Sequence, residues 1–292
     1  TIAGSDGSDT MDAGAGVGSL SAAFVAQACS REQRPKILAI TACEVDPTRA
    51  GYLGQTLEAC AAVCQEAGIG FTAKARKEDF IRSGVQSLHG QGLFREARAS
   101  FNAIILNPPY RKIQSDSETR HLLRAVDIET TNLYTAFLWL CVRMLEPEGE
   151  LVAITPRSFC NGPYFRAFRK AMLETMSFRR VHVFESRKRA FSDDDVLQEN
   201  VIFYAVKTRD RSAPVLVSSS TGPEDDCPVV REVRHDQLVR PDDPDAFIHI
   251  VPDALSHRIG EQVRGLETAL TDLDLEVSTG RVVDFRVKDS LR

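Results

Sequence analysis

The first two hundred residues alternate short apolar runs with longer stretches of helical periodicity. This alternation is typical of a parallel sheet with crossover helices on both faces. It predicts a doubly wound, seven-stranded α/β fold, in which ligands bind beyond the carboxyl ends of the strands. The seven predicted strands are "TMDAG" (10–14), "ILAITACEV" (37–45), "GFTAKA" (70–75), "FNAIILN" (101–107), "ELVAITP" (150–156), "RRVHVFE" (179–185) and "NVIFYAVK" (200–207).

The composition changes after Lys207, where Pro, Ser and Asp become frequent and periodicity weakens. We therefore predict two regions, a sheet domain over residues 1–210 and a loop-rich extension over residues 211–292. The extension is expected to contain two short strands and a helix that begins near Asp253.

Charge and cysteine content limit the classes of partner. The net charge of −5 does not indicate an acidic partner. The segment from Arg157 to Arg189, however, contains nine basic residues and only two acidic ones. A phosphate backbone and a solvated helix face are both compatible with that basic segment. The seven cysteines are scattered without C-x-x-C spacing, so we expect reduced thiols and no metal site.

The sequence carries no apolar run of roughly 20 residues and no secretory signal pattern. We therefore expect a cytoplasmic protein without a membrane partner.

A glycine-rich loop, "DAGAGVGSL", joins the first predicted strand to a helix. Glycines at such a turn tolerate positive φ and let the backbone approach a ligand, and the helix start offers free N–H groups. The spacing departs from the G-x-G-x-x-G of dinucleotide binders because Ser19 takes the last position, which counts against a nicotinamide cofactor. A plain tight turn is the alternative interpretation. The polar and glycine positions of interest are Asp12, Gly14, Gly16 and Gly18.

Acids follow the second and third predicted strands. Glu44 at the end of the second strand is placed to accept hydrogen bonds from both hydroxyls of a ribose. Asp79 and Phe80, in "KEDF", combine a carboxylate with a ring and suit an adenine. No G-K-[ST] motif occurs, so the expected ligand is a nucleoside without a polyphosphate.

The fourth strand ends in Asn107, Pro108, Pro109 and Tyr110. Consecutive prolines cannot donate ladder hydrogen bonds, so the chain leaves the sheet in a stiff, extended form. The Asn107 side chain and the Pro108 carbonyl then provide two acceptors, and Tyr110 provides a flat face. This arrangement suits a planar group that carries an NH₂; an ordinary strand-ending turn is the alternative.

The motifs "DAGAGVGSL", "EVDP", "EDF" and "NPPY", in that order, resemble those of amino-group DNA methyltransferases that use S-adenosylmethionine. Three further segments are similar to the gamma-class N6-adenine methyltransferases of type II restriction-modification systems, of the PstI/BsuBI type. These are "NLYTAFLWLCVRMLEPEGELVAITPRSFCNGPYFRAFR", "VHVFESRKRAFSDDDVLQENVIFYAV" and "STGRVVDFR". The resemblance covers nearly all of residues 10–207 and implies a Rossmann-like methyltransferase sheet.

The resemblance assigns roles to the predicted site. Asp12, Gly14, Gly16 and Gly18 would line the methionine part of S-adenosylmethionine, Glu44 would hold its ribose, and Asp79 and Phe80 its adenine, with Asn107 also near the cofactor. Asn107, Pro108, Pro109 and Tyr110 would form the catalytic loop for an adenine flipped out of double-stranded DNA.

In the same family, Tyr110 and Phe191 would stack on the target base. Arg187, Lys188 and Arg189 would contact the DNA backbone, and a cognate restriction endonuclease is a further implied partner. The resemblance also implies an N-terminal helix and a C-terminal recognition domain. Only about ten residues precede the glycine loop, and the chain stops where the recognition domain is expected, so we expect a catalytic fragment.

Other targets remain open at this point. The tetrapeptide NPPY also occurs in enzymes that methylate a glutamine amide of translation release factors, and RNA adenine is a further variant. A target at cytosine N4 is usually accompanied by Ser at the position of Asn107. A methyltransferase-like module that binds DNA without turnover is a non-enzymatic alternative.

Overall fold

The computed structural model of the 292-residue chain describes residues 7–89, 100–184, 199–222, 225, 227–251, 253–266, 268 and 270–275. The chain divides into two compact units, Thr1–Pro252 and Asp253–Arg292. The first unit contains the sheet and all of the described site residues.

A mixed sheet of nine strands forms the centre of the first unit, in the order β3-β2-β1-β4-β5-β7-β6-β8-β9. The predicted α/β fold is confirmed. The described part of the chain has nine strands in this sheet rather than seven, because the two short strands expected in the extension join it at one edge. The strands are β1 (Ser8–Ala13), β2 (Ile37–Cys43), β3 (Gly70–Arg76), β4 (Phe101–Leu106), β5 (Leu145–Pro156), β6 (Ser177–Phe184), β7 (Asn200–Val206), β8 (Val215–Ser220) and β9 (Val229–Val233).

The ladders place the first five strands in one direction. β3, β2, β1, β4 and β5 pair in parallel, so their carboxyl ends meet at one edge of the sheet. β7 runs antiparallel between β5 and β6, and β8 is parallel to β6. The strand order reverses between β1 and β4, which is where ligands of such sheets bind.

Helices cover both faces of the sheet. Successive side chains of β4 face opposite sides of the sheet. Ile104 therefore belongs to the hydrophobic core on one side and Ile105 to the core on the other. The α-helices are α1 (Ser19–Cys29), α2 (Pro47–Glu66), α3 (Phe80–His89), α4 (Glu118–Arg124), α5 (Leu133–Met144), α6 (Arg166–Thr175), α7 (His235–Leu238) and, in the second unit, α8 (Ala254–Arg264). Short 3₁₀ helices span Arg157–Cys160, Pro163–Phe165 and Leu270–Leu273.

Helix α2 has recognisable start and stop signals in its sequence. The Asp46 carboxylate accepts from the backbone N–H groups of Thr48 and Arg49, both at 2.9 Å, and Pro47 occupies the first helical position. Gly68, with φ of 73°, follows the last turn. These local signals operate over a few residues and are therefore readable from sequence.

The first compact unit extends beyond the boundary predicted at residue 210. β8 pairs with β6 and β9 pairs with β8, so these residues belong to the sheet unit and its end lies at Pro252. Among the described helices, none is both long and apolar enough to cross a membrane.

Candidate functional site

The carboxyl ends of β1 to β4 converge on a cavity of about 690 Å³. Residues predicted from separate strand ends therefore share one site. The predicted residues that line the cavity are Gly14, Gly16, Glu44, Asp79, Phe80, Asn107 and Pro109.

The three glycines after β1 have positive φ angles but serve different purposes. Gly14 and Gly16, with φ of 77° and 58°, line the cavity, and a Cβ at Gly16 would meet nothing within 4 Å. Gly18, with φ of 90°, faces α2 instead: a Cβ there would lie 2.9 Å from Leu53 Cδ1 and 3.0 Å from Thr56 Cγ2. Gly14 and Gly16 thus keep the cavity open, whereas Gly18 allows the loop to pack on α2.

Glu44 is buried directly after β2 and forms hydrogen bonds with both the glycine loop and the start of α2. Its Oε2 accepts from the Gly16 N–H at 2.9 Å, and its Oε1 accepts from the Asp46 N–H at 2.8 Å. A carboxylate offers about four lone-pair sites, so it can still accept from a ligand hydroxyl. Glu44 therefore orders the glycine loop and presents negative charge to the cavity.

Asp12 lies behind the glycine loop and is not one of the residues that line the cavity. Its carboxylate is fully buried, and Oδ2 accepts from the Ser21 hydroxyl at 2.6 Å. No partner for Oδ1 is found in the described part of the chain. Burial raises the pKa of this carboxyl to about 6.

Asp79 and Phe80 follow β3 and form part of the cavity wall. Asp79 Oδ1 accepts from the Ile81 N–H at 2.8 Å and so orders the first turn of α3. The buried Phe80 ring lies 4.9 Å, between ring centroids, from Phe137 of α5. Phe137 and Leu133 also line the cavity. The helical spacing of apolar residues indicates a buried face that includes Phe137, but it does not distinguish a core ring from one that borders a cavity.

The NPPY loop leaves β4 at the same edge. Asn107 is exposed at the end of the cavity, and its Oδ1 accepts from the Tyr110 hydroxyl at 3.0 Å. That hydroxyl also lies 3.3 Å from the Ile154 carbonyl oxygen of β5. Burial raises the pKa of Tyr110 well above its usual value, so the hydroxyl stays protonated and donates. No hydrogen bond to the Pro108 carbonyl is found among residues whose structure is described.

Part of the basic segment bonds to the protein itself. Arg157 pairs with Glu199 and donates to the Ile250 carbonyl, and Arg166 pairs with Asp245. Arg169 is fully buried among carbonyl groups. These three arginines therefore have partners within the protein, and the fully buried Arg169 is closed to a phosphate backbone. Phe191, Arg187, Lys188 and Arg189 lie outside the described residues.

A second cavity lies apart from the predicted site residues. This cavity of about 640 Å³ is lined by residues of α6, of α7 and of the segments that follow β7 and α7. None of the predicted site residues lines it. No group of three or more metal-binding side chains occurs in the described ranges.

The sequence is similar to known restriction-modification proteins. Residues 64–191 match the family described as Eco57I restriction-modification methylase. The type II methyltransferase M.PstI of Providencia stuartii is 44% identical over 283 residues, which are 97% of this chain and 55% of that protein. The type II methyltransferase M.BsuBI of Bacillus subtilis is 42% identical over 285 residues, again 97% and 55%. The chain thus spans about half the length of these relatives.

Solved structures share the fold. The crystal structure of a Listeria monocytogenes protein, described as a class I S-adenosylmethionine-dependent methyltransferase, superposes with a TM-score of 0.52 at 13% identity. The superposition covers 75% of this chain and 60% of that one. The type IIG restriction endonuclease BpuSI superposes with a TM-score of 0.55 at 14% identity, over 81% and 29%. The sheet of this chain therefore has the same fold as these two structures.

Proposed function

We infer that this chain is the catalytic region of a type II restriction-modification methyltransferase, and that it methylates the N6 amine of adenine in double-stranded DNA. The observation that carries this inference is the single cavity that joins Gly16 and Glu44 to Asp79 and Asn107. In our proposal, a nucleoside site and an NH₂-accepting loop therefore lie next to each other. The likeness to M.PstI and M.BsuBI supports a role in restriction-modification.

The cavity fits S-adenosylmethionine, which supplies an electrophilic methyl group when bound. Gly14 and Gly16 leave room that side chains would fill, and Glu44 faces that room with a buried carboxylate. In our proposal Glu44 accepts from the ribose hydroxyls. Asp79 accepts from the adenine amine, and Phe80, backed by Phe137, packs against the adenine ring.

Asp12 would act from behind the loop rather than by direct contact. Its buried Oδ1 has no partner within the described residues, so its charge is poorly compensated. A positively charged ligand in front of Gly14 would stabilise that charge. The methionine end of the proposed cofactor carries such charge.

Asn107 and Pro108 would prepare the target amine. The lone pair of an adenine N6 is conjugated with the ring, which makes the amine a weak nucleophile. Acceptors at Asn107 Oδ1 and the Pro108 carbonyl would hold both N6 hydrogens and stabilise the positive charge that develops on nitrogen. Because these acceptors are fixed by the end of β4 and by two prolines, little reorganisation is needed.

The target base would have to leave the duplex to reach Asn107. Flipping a base costs a few kcal/mol, and stacking on the Tyr110 ring would offset part of that cost. Phe191 is proposed as the second stacking residue, and Arg187, Lys188 and Arg189 as backbone contacts. A restriction endonuclease with the same recognition sequence is the proposed biological partner.

Methyl transfer from labelled S-adenosylmethionine tests this function. The acceptors are amplified genomic DNA, which carries no prior methylation, the corresponding RNA transcripts, and a peptide with the glutamine loop of a release factor. We expect label in DNA alone, recovered after digestion as N6-methyldeoxyadenosine. Label in N4-methyldeoxycytidine, RNA or peptide would assign a different target, and cofactor binding without any transfer would favour the non-catalytic alternative.

A further inference from the structure

An exposed aromatic side chain lies at the same edge of the sheet as the NPPY loop. Tyr164 is 85% exposed and belongs to the 3₁₀ helix Pro163–Phe165, which closely follows the carboxyl end of β5. β5 pairs in parallel with β4, so this helix and Asn107 are at one edge. Single exposed aromatic residues are common, and exposure alone assigns no role.

The backbone that carries Tyr164 is held rigidly by Arg169. The buried guanidinium donates to the Phe159 carbonyl at 2.9 Å and to the Gly162 carbonyl at 2.6 Å, and it also donates twice to the Asp245 carbonyl. Hydrogen bonds from a charged donor are stronger than neutral ones. The turn before Tyr164 is therefore fixed by several charge-assisted bonds.

Gly162 makes the same turn tight. A Cβ at this position would lie 2.6 Å from the Ser158 carbonyl oxygen and 2.8 Å from the Phe165 ring. Because no side chain fits there, the backbone turns closely and Phe165 packs inward. Its neighbour Tyr164 is left on the surface.

A series of ring contacts leads from this turn to the proposed target site. The Phe165 ring lies 5.7 Å from Tyr134, and the Tyr134 ring lies 6.3 Å from Tyr110, measured between centroids. Tyr134 is further held by a 3.0 Å hydrogen bond to Ser158. Tyr164 is thus next in sequence to a ring that is two contacts away from Tyr110.

We propose that Tyr164 contacts the DNA and stacks on a base beside the flipped adenine, which deepens the proposed function and rests on it. A ring on a rigid turn loses little conformational entropy on binding. Stacking of a base on an aromatic side chain is sequence-tolerant and contributes about 1–3 kcal/mol. The neighbouring Arg166 bonds through its Nε to Pro244 and Asp245. The proposed contact is made by the ring of Tyr164.

Photocrosslinking tests the contact directly. The chain, with S-adenosylmethionine, is bound to duplexes that carry 5-iododeoxyuridine at positions flanking a methylated adenine identified by the transfer assay. After irradiation, mass spectrometry locates the linked residue. We expect a crosslink on Tyr164 from at least one flanking position, and its loss in Tyr164→Ala.

Kinetics with matched variants test the role of the ring. Tyr164→Ala should raise KM for DNA at least fivefold, with kcat and cofactor affinity unchanged, whereas Tyr164→Phe should stay within twofold of the parent chain. Tyr52→Ala is the control, because Tyr52 is 56% exposed on α2, away from the turn after β5. Unchanged melting temperatures would exclude a folding defect.

The outcomes separate the two proposals. DNA methylation without a Tyr164 crosslink, or with unchanged KM in Tyr164→Ala, would overturn the contact and leave the proposed function intact. Equal loss in Tyr164→Ala and Tyr164→Phe would also overturn stacking, because the ring is retained in Phe. Failure of the parent chain to methylate any adenine would overturn both proposals.

Discussion

The Tyr110 hydroxyl donates to Asn107 Oδ1 at 3.0 Å, so the acceptor proposed for the target amine has a hydrogen-bond donor within the protein. The hydroxyl has one proton, and the Ile154 carbonyl oxygen, 3.3 Å away, is an alternative acceptor. A rotation of the O–H bond toward Ile154 would release Asn107 without movement of the ring. A hydrogen bond therefore links the residue proposed to stack on the base to the residue proposed to accept from the amine.

Tyr110→Ala should lower the rate on duplex DNA at least tenfold, because the stacking that offsets base flipping is lost. Tyr110→Phe is the matched control and should stay within about threefold, since the ring remains and Asn107 is no longer engaged. Initial rates are compared on adenine opposite thymine and opposite an abasic site, where flipping costs less. An equal loss in Tyr110→Ala on both substrates would argue against stacking.

Asn107→Ala should reduce kcat by about two to three orders of magnitude, the usual effect of removing one preorganised polar group at a reacting centre. Cofactor affinity should remain within about threefold, because most of the cavity wall comes from other strand ends. Calorimetric titration with S-adenosylmethionine and single-turnover rates measure the two quantities. Parallel loss of cofactor affinity and rate would show that Asn107 belongs to the cofactor site alone.

Glu44→Gln should weaken S-adenosylmethionine binding tenfold or more. The carboxylate accepts from the N–H groups of both Gly16 and Asp46, whereas a glutamine amide presents a donor to one of them. Titration calorimetry gives the affinity. Glu58→Gln, on the exposed side of α2, is the control and should not change it. Unaltered binding in Glu44→Gln would remove Glu44 from the proposed ribose site.

Gly18→Ala should lower the free energy of unfolding by about 1–3 kcal/mol. The added methyl would approach Leu53 and Thr56 at 2.9–3.0 Å, and φ of 90° is unfavourable for alanine. Urea denaturation measures the change. Gly54→Ala in α2, where a Cβ meets nothing within 4 Å, should instead stabilise by about 0.5–1 kcal/mol. If Gly18→Ala matched Gly54→Ala, close packing at Gly18 would be wrong.

Asp12 should make the cofactor-free protein less stable as the pH rises. Burial raises its pKa from 3.8 to about 6, so between these values the folded state binds more protons than the unfolded state. The free energy of unfolding contributed by this group therefore falls from about pH 4 to pH 6 and is then constant. Asp12→Asn should remove this decline in urea denaturation curves, whereas Asp116→Asn, at an exposed site, should retain it.

S-adenosylmethionine should oppose that decline if Asp12 is stabilised by its positive charge. An Asp12→Asn variant with the same pH dependence as the parent chain would contradict the assignment to Asp12.

The sequence predicts the site where short-range patterns determine position. Glu44 and Asn107 follow apolar runs that become the parallel strands β2 and β4, one on each side of β1. Because parallel strands end at the same edge of a sheet, the two residues converge there. Burial depth is different, because it depends on contacts between distant segments. The position of Asp12 behind the loop and the contact of Gly18 with α2 arise from such packing, and so does the role of Phe137 as a cavity wall.

The strands β8 and β9 illustrate the same limit. Each has five or six residues, with serines in "VLVSSS" and charges in "VVREV", and neither shows a long apolar run. Pairing of β8 with β6 and of β9 with β8 supplies their stability, and this pairing is not encoded in local periodicity. The predicted boundary at 210 therefore preceded the end of the sheet.

The hydrogen bonds of the Arg169 guanidinium limit how far the chain can be shortened from its C-terminal side without loss of stability. Two of its donors end on the Asp245 carbonyl, and its charge lies 4.9 Å from the Phe247 ring centroid. A protein trimmed at residue 210 would keep this buried cation but lose Asp245 and Phe247. The free energy of unfolding would then fall, as it does when one partner of a buried hydrogen bond is removed. Trimming after Ile250 keeps the hydrogen bonds of Arg169 to Asp245, and with them the conformation of the turn that carries Tyr164.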